Sequence, residues 1–343
     1  MLVLFLGIAF VNQFINWTSI LNVDASYTDE LRQVFGIVSF FFCINMVVNL
    51  FNSILTADQK PGLSSILGAA GQIFSLLVVY VLTKTTEGSL FNLALYYSGI
   101  PMLVVFLASI YAFRFTRYKE CAPYFRSFKR QLVSSVTKLG IKFFVICLSM
   151  IFIFQVMNII ISRELGPDAV TEYNIAFKYF NILTTVILIV VTPFWSAFTD
   201  AYQKKDYQWM TSSIKKLETV WLFSILTALV MVILANPFYD IWIGDDIHVQ
   251  MATTVSIAIF ISLFNLSQIY MFMINGIGTV MIQLLIYIVF ALIAWPLMVL
   301  CCGWLGLSGI VIIPSIVAML VALCGRIQIG RIMNKRATGL WAK

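Results

Sequence analysis

Residues 154–181 read FQVMNIIISRELGPDAVTEYNIAFKYFN: two apolar stretches meeting over a short charged turn, Arg163-Glu164-Leu165-Gly166-Pro167-Asp168. Each stretch carries polar residues at helical spacing, Gln155 and Asn158 on the first, Asn174, Lys178 and Asn181 on the second. Offsets of three, four and seven place such residues on one face of a helix. A lysine inside an apolar segment costs roughly 2.5–3.5 kcal/mol or more at the centre of a bilayer. The face that holds it is therefore expected to meet protein or water rather than lipid, and to line a path through a membrane.

Working outward, the same apolar character recurs down all 343 residues. The chain is 61% hydrophobic and 11% charged, with a mean hydropathy of +0.96, where a soluble domain carries about 25% charged residues. Stretches long enough to cross a bilayer, about 20 residues each, are expected at about 1–20, 33–55, 62–83, 91–113, 138–162, 173–198, 217–236, 250–274, 279–301 and 304–325. The expected fold class is an all-α polytopic helical membrane protein of about ten transmembrane helices in two bundles. The first span has no basic leader and no small-residue cleavage site, so it does not read as a signal peptide.

The basic residues sort by loop. Lys60, then Arg114, Arg117, Lys119, Arg126, Lys129, Arg130 and Lys138, then Lys204, Lys205, Lys215 and Lys216, and finally Arg326, Arg331, Lys335, Arg336 and Lys343 fall on alternate connections. They are seventeen of the 22 basic residues; the opposite loops hold only Arg32, Lys84 and Arg163. By the positive-inside rule the first set is cytoplasmic, and an even number of spans puts both termini there. The opposite loops are acidic, with Asp24, Asp29 and Glu30, then Asp240, Asp245 and Asp246. This distribution accounts for the net charge of +7 without nucleic acid. The expected organisation is a four-span lobe (1–113), a basic cytoplasmic linker (114–137), a six-span lobe (138–326) and a basic tail (327–343). The linker is also suited to anionic lipid headgroups.

Chemistry-bearing patterns are sparse. Cysteines 43, 121, 147, 301, 302 and 324 lack metal-ligand spacing and read as small packing residues. His248 stands alone in a polar loop. Gly-rich phosphate loops, GxSxG and HExxH are absent, so neither an enzyme nor a cofactor or metal is expected. Polar stripes recur instead: Asn45, Asn49 and Asn52 at offsets of four and seven, Asn265, Gln268 and Asn275 at three and ten, and the pairs Asn12/Asn16 and Lys138/Lys142. Such amides also serve as glue between transmembrane helices, at about 0.6 kcal/mol per bond. Stripes in both lobes fit two bundles enclosing a hydrated cavity. There Lys178 and Lys142 would meet an anionic group on a cargo, a phosphate above all. Snorkelling to the nearer interface is the competing reading for both lysines. Asp58 and Glu218 fall near span ends, so no coupling carboxylate is expected inside the membrane.

Several of these residues resemble the polysaccharide flippase family of the Wzx type, within the MATE-like fold of the MOP exporter superfamily. Thr56-Ala57-Asp58-Gln59-Lys60-Pro61 resembles a cytoplasmic turn of that family. Gln155, Asn158 and the following IIIS resemble its seventh helix, with ELGPDAVTEYNIAFKYF after it. Thr192-Pro193-Phe194-Trp195-Ser196-Ala197-Phe198-Thr199-Asp200-Ala201-Tyr202 and Asn275-Gly276-Ile277-Gly278 continue the match. Members commonly carry Asp where Asn158 stands. The resemblance implies transport of an undecaprenyl-pyrophosphate-linked oligosaccharide across a bacterial inner membrane by alternating access, for surface polysaccharide such as O-antigen. Asn and Gln would serve sugar hydroxyls; Lys178 and Lys142 would serve the pyrophosphate. Membrane lipids and other polysaccharide-assembly proteins are the further partners. The first span resembles the family's third, so the N-terminal bundle is expected to lack two helices. Alternative readings are a MATE-type small-molecule antiporter, expected to show embedded acidic residues, a membrane enzyme acting on glycans, and a truncated non-transporting relic.

Overall fold

Gly166 and Pro167 make the turn at the centre of the chain. Gly166 takes φ +92°, ψ 173°, a region essentially closed to side chains. Leu165 and Gly166 both return N–H bonds to the Ile161 carbonyl, at 2.9 and 3.1 Å. Pro167 opens the next helix at its first turn, where a missing N–H removes no helical bond.

The computed structural model describes residues 1–15, 17, 28–85, 89–124, 130–244 and 249–342; Asn16, Asp24, Arg126, Lys129, Asp245, Asp246, His248 and Lys343 lie outside them. Among the described residues there is no strand, and the chain divides into two compact units, Met1–Phe128 and Lys129–Lys343.

The first unit comprises α1 (Leu2–Phe14), α2 (Thr28–Val48), α3 (Leu50–Ala57), α4 (Pro61–Thr85), α5 (Leu90–Phe115) and a 3-10 turn, Arg117–Cys121. Bonds from Asn49 N to Asn45 O (2.8 Å) and Ser53 N to Asn49 O (3.2 Å) carry α2 into α3, so 28–57 form one 30-residue apolar stretch. α5 packs against α2 and α4. The small core is Val48, Phe51, Leu55, Met102, Val105 and Ala112. α4 and α5 touch where Gly71 meets Pro101; a Cβ on Gly71 would lie 2.8 Å from the Pro101 Cα.

The second unit holds α6 (Arg130–Glu164), α7 (Pro167–Gln203), α8 (Tyr207–Ile233), α9 (Ala235–Ile243), α10 (Met251–Ile277), α11 (Met281–Leu305), α12 (Leu307–Met333) and a 3-10 turn, Gly339–Ala342. α10 is its most buried helix and packs against α12, α7 and α8, while α11 bridges α12 and α6. Backbones come close at two points on α10. A Cβ on Gly276 would meet the Trp195 carbonyl of α7 at 2.6 Å, and one on Gly325 of α12 would meet Tyr270 Cβ at 2.7 Å.

Nine of these helices are long and apolar enough to cross a membrane, so the protein is a multi-pass membrane protein. The expected all-α membrane fold of about ten crossings stands, nine of them among the described residues. The first span is represented by a 13-residue helix, α1, shorter than a bilayer crossing requires, and residues 18–27 fall outside the described part. Helix ends also overrun the expected spans. α6 begins at Arg130, within the stretch read as linker, and α12 runs to Met333, into the stretch read as tail.

Candidate functional site

The two stretches flanking Gly166 meet at their turn but do most of their packing elsewhere, α6 against α11 and α7 against α10. On α6, Lys142 is half-buried, Gln155 is exposed and Asn158 is half-buried. The Asn158 Oδ1 is enclosed, with no partner among the described residues. On α7, Asn174 and Asn181 are half-buried and Lys178 is exposed. Asn174 Nδ2 donates to its own helix at Val170 O, 2.8 Å. Lys178 makes no ion pair or hydrogen bond through its ammonium among the described residues.

α10 is different. Asn265 is fully buried and neither of its amide atoms has a partner among the described residues; Gln268 is nearly so, with Oε1 unpartnered. Both amides are enclosed within the second unit rather than on its surface. Asn275 accepts a bond from Gln283 Nε2 at 2.6 Å, which ties the α10–α11 turn. In the first unit, Asn45 is half-buried and Asn49 exposed. Asn52 Nδ2 donates to Asn49 Oδ1 at 2.8 Å, and the Asn52 Oδ1 is enclosed without a partner. Asn12 holds α1 to α2: its Nδ2 donates to Arg32 O at 3.0 Å and its Oδ1 accepts from Trp17 Nε1 at 2.7 Å.

Three carboxylates are organised in ways that spacing alone did not announce. Glu218, expected at a span end, lies well inside α8, because that helix starts ten residues upstream of its apolar core. It accepts a hydrogen bond from the Tyr270 hydroxyl and lies 3.9 Å from the Arg326 Nε. One carboxylate thus joins α8, α10 and α12. Glu172 on α7 accepts from Gln250 N (2.9 Å) and Thr253 Oγ1 (2.7 Å), placing negative charge at the N-terminus of α10, where the helix dipole favours it. In the first unit, Asp58 accepts from the Tyr118 hydroxyl at 2.6 Å and from Arg117, with Lys60 Nζ at 3.3 Å. The Tyr118 bond foremost, then those from Arg117 and Lys60, hold the Asp58 carboxyl at about 2 against an ordinary 3.8, although partial burial pushes the other way. The sequence signal for these groups is faint. Apart from Asp58 with Lys60, each pairing joins residues 52 or more positions apart.

Nine crossing helices in units of this make-up are matched among solved structures. A MATE in complex with MaD3S superposes with a TM-score of 0.75 at 17% identity, over 97% of this chain and 77% of the other. The fold is that of the MATE transporters. An outward-facing multidrug resistance MATE family transporter of the MOP superfamily gives 0.70 at 17% identity, over 96% and 76% of the two chains. A Vibrio cholerae MATE transporter in the bent form gives 0.69 at 12% identity, over 100% and 79%. No protein-family model and no curated protein matches the sequence. At 12–17% identity the likeness is one of fold, and the residues above lie on helices of that fold.

Proposed function

We propose that the protein translocates a lipid-linked oligosaccharide, carried on undecaprenyl pyrophosphate, across a bacterial inner membrane by alternating access. The observation that carries this reading is Lys178. Its ammonium is exposed on an apolar crossing helix without a counter-ion among the described residues, flanked one turn away by Asn174 and Asn181. Such a charge is costly against lipid and is offset by an anion with hydrogen-bond acceptors, which a pyrophosphate supplies. The amides of α2, α3, α6, α7 and α10 offer the paired donor and acceptor that sugar hydroxyls use. The resemblance of the α3–α4 and α6–α7 turns to the Wzx-type flippases points the same way.

A second reading, a cation-coupled small-molecule antiporter, is favoured by Glu218, a carboxylate within a crossing helix. One experiment separates them. In vesicles loaded with lipid-linked oligosaccharide, Lys178→Ala is expected to lower translocation at least tenfold, while Glu218→Gln leaves it within about twofold. Unimpaired translocation by Lys178→Ala sinks the pyrophosphate role. Proton- or sodium-driven efflux of a small cation that is lost in Glu218→Gln establishes the antiporter instead.

A further inference from the structure

The tail of the second unit folds back and encloses a recess unrelated to the polar stripes. After α12, Lys335 N bonds Ile332 O (3.0 Å) and Arg336 N bonds Arg331 O (2.8 Å), turning the chain. The 3-10 turn Gly339–Ala342 then lies on the ends of α11 and α12. It is pinned there. Gln328, almost fully buried, donates through Nε2 to Thr279 O at 2.8 Å and Trp341 O at 3.2 Å. The Arg331 guanidinium lies 4.2 Å from the Trp341 ring centre.

Beneath this strap is a cavity of about 210 Å³, bordered by Tyr202, Tyr207, Thr279, Ile332, Lys335 and the tail. At ~30 Å³ per liquid water it holds roughly seven waters, ample for a phosphate group. Its polar groups are uncommitted: neither tyrosine hydroxyl nor the Lys335 ammonium has a partner among the described residues. The Thr279 Oγ1 is enclosed and unpartnered as well. The recess lies where the N-terminal ends of α8 and α11 meet the C-terminal ends of α7, α10 and α12, so helix dipoles of both signs face it and its selectivity rests on the side chains. Nearby acids are occupied, Asp206 capping α8 through Trp209 N at 3.0 Å and Asp200 paired with Lys204 at 2.7 Å. Arg331, over the Trp341 ring, and Arg336, next to Lys335 in the chain, belong to the same basic turn.

Lys335 adopts φ +56°. That position after a helix is one that glycine normally fills, and a side chain in left-handed geometry is disfavoured. Lys335 thus turns the chain at the rim of the recess, which it borders while staying exposed.

We propose that this recess is a binding site for a phosphate-bearing anion, the headgroup of an anionic lipid or a free phosphate. On the basic side of the membrane, anionic headgroups and soluble phosphates both reach such a pocket.

The test uses the full chain in neutral maltoside detergent. The probes are dihexanoyl phosphatidylglycerol, dihexanoyl phosphatidylcholine and inorganic phosphate, with adduct mass and the rise in unfolding temperature as readouts. Lys335→Gly suits the backbone and preserves the fold, so its effect reports charge. It is expected to weaken phosphatidylglycerol or phosphate binding about fivefold, the weight of one basic side chain near an anionic headgroup. Tyr202→Phe weakens it as well. Lys205→Gly is the control, with the same charge change at φ +60° but outside the cavity, and it leaves binding unchanged. Displacement of the lipid by inorganic phosphate identifies a small phosphate as sufficient; binding of the lipid alone identifies the headgroup. The proposal fails if Lys335→Gly binds like the parent, if Lys205→Gly weakens binding equally, or if phosphatidylcholine binds as well as phosphatidylglycerol.

Discussion

Asp58 shows how one residue organises the end of a helix hairpin. It closes α3 and collects Tyr118, Arg117 and Lys60. Because the folded carboxyl sits at about 2 rather than 3.8, the fold favours its charged form. The stability it contributes is therefore complete above about pH 4 and is lost as pH falls from 4 through 2. Asp58→Asn is expected to lower the unfolding temperature at pH 7. The gap from the parent should narrow below pH 4 and close near pH 2, as scanning fluorimetry would follow. A gap independent of pH would show that the side chain acts by shape rather than charge. Thr56 to Pro61 was legible in the sequence as a turn; its partners were not. Tyr118 lies 60 residues away and nothing in its neighbourhood advertises an acid. The same holds for Glu218 with Tyr270, 52 positions away, and it is why that pairing escaped a reading based on spacing.

At the scale of the element, hydropathy locates the apolar middle of a helix and is blind to its ends. α8 was expected from 217 and begins at Tyr207. Its first turns carry Lys215 and Lys216, which suit a helix projecting into water as well as they suit a loop. Gln328 and Arg331 belong to the last turns of α12 although their charge and polarity read as tail. The stripe on α10 was visible as a pattern, yet its burial was not, because an amide stripe has the same spacing whether it faces a cavity or a neighbouring helix. Close backbone contact is likewise invisible until the helices are placed. Gly276 allows α10 to approach α7 until the Thr199 hydroxyl reaches its carbonyl at 2.7 Å. Gly276→Ala would drive a Cβ to 2.6 Å from the Trp195 carbonyl, and backbone cannot rotate away as a side chain can. Forcing the helices apart is expected to cost about 1–3 kcal/mol. Gly68→Ala on α4, which meets nothing within 4 Å, should instead gain up to about 1 kcal/mol in helix propensity. Unfolding of both variants in the same detergent checks the contrast. Equal behaviour would show that the α7–α10 contact is loose.

For the whole molecule, the orientation in the membrane rests on charge alone, and it is open to direct measurement. Seventeen of 22 basic residues lie on one set of connections, and transferring such loops outward is what the positive-inside rule opposes. The set includes the 3-10 turn that carries Cys121, which is exposed. The opposite set includes the α6–α7 turn, where Leu165 is exposed. A variant keeping Cys121 as its only cysteine should react with a membrane-impermeant maleimide in inside-out vesicles and stay unlabelled in intact cells. Leu165→Cys in a background without other cysteines should do the reverse. Because the two positions belong to different units, concordant labelling tests the alternation as well as the sign. Exchange of the two patterns would place the Lys335 recess on the outer face, where cytoplasmic phosphates do not reach it. Labelling of both positions from one side would mean that an even number of crossings, instead of the expected single one, lies between them. α6 would then be the first helix to question, since Arg130, Lys138 and Lys142 lie within the first half of a 35-residue helix rather than in a loop of its own.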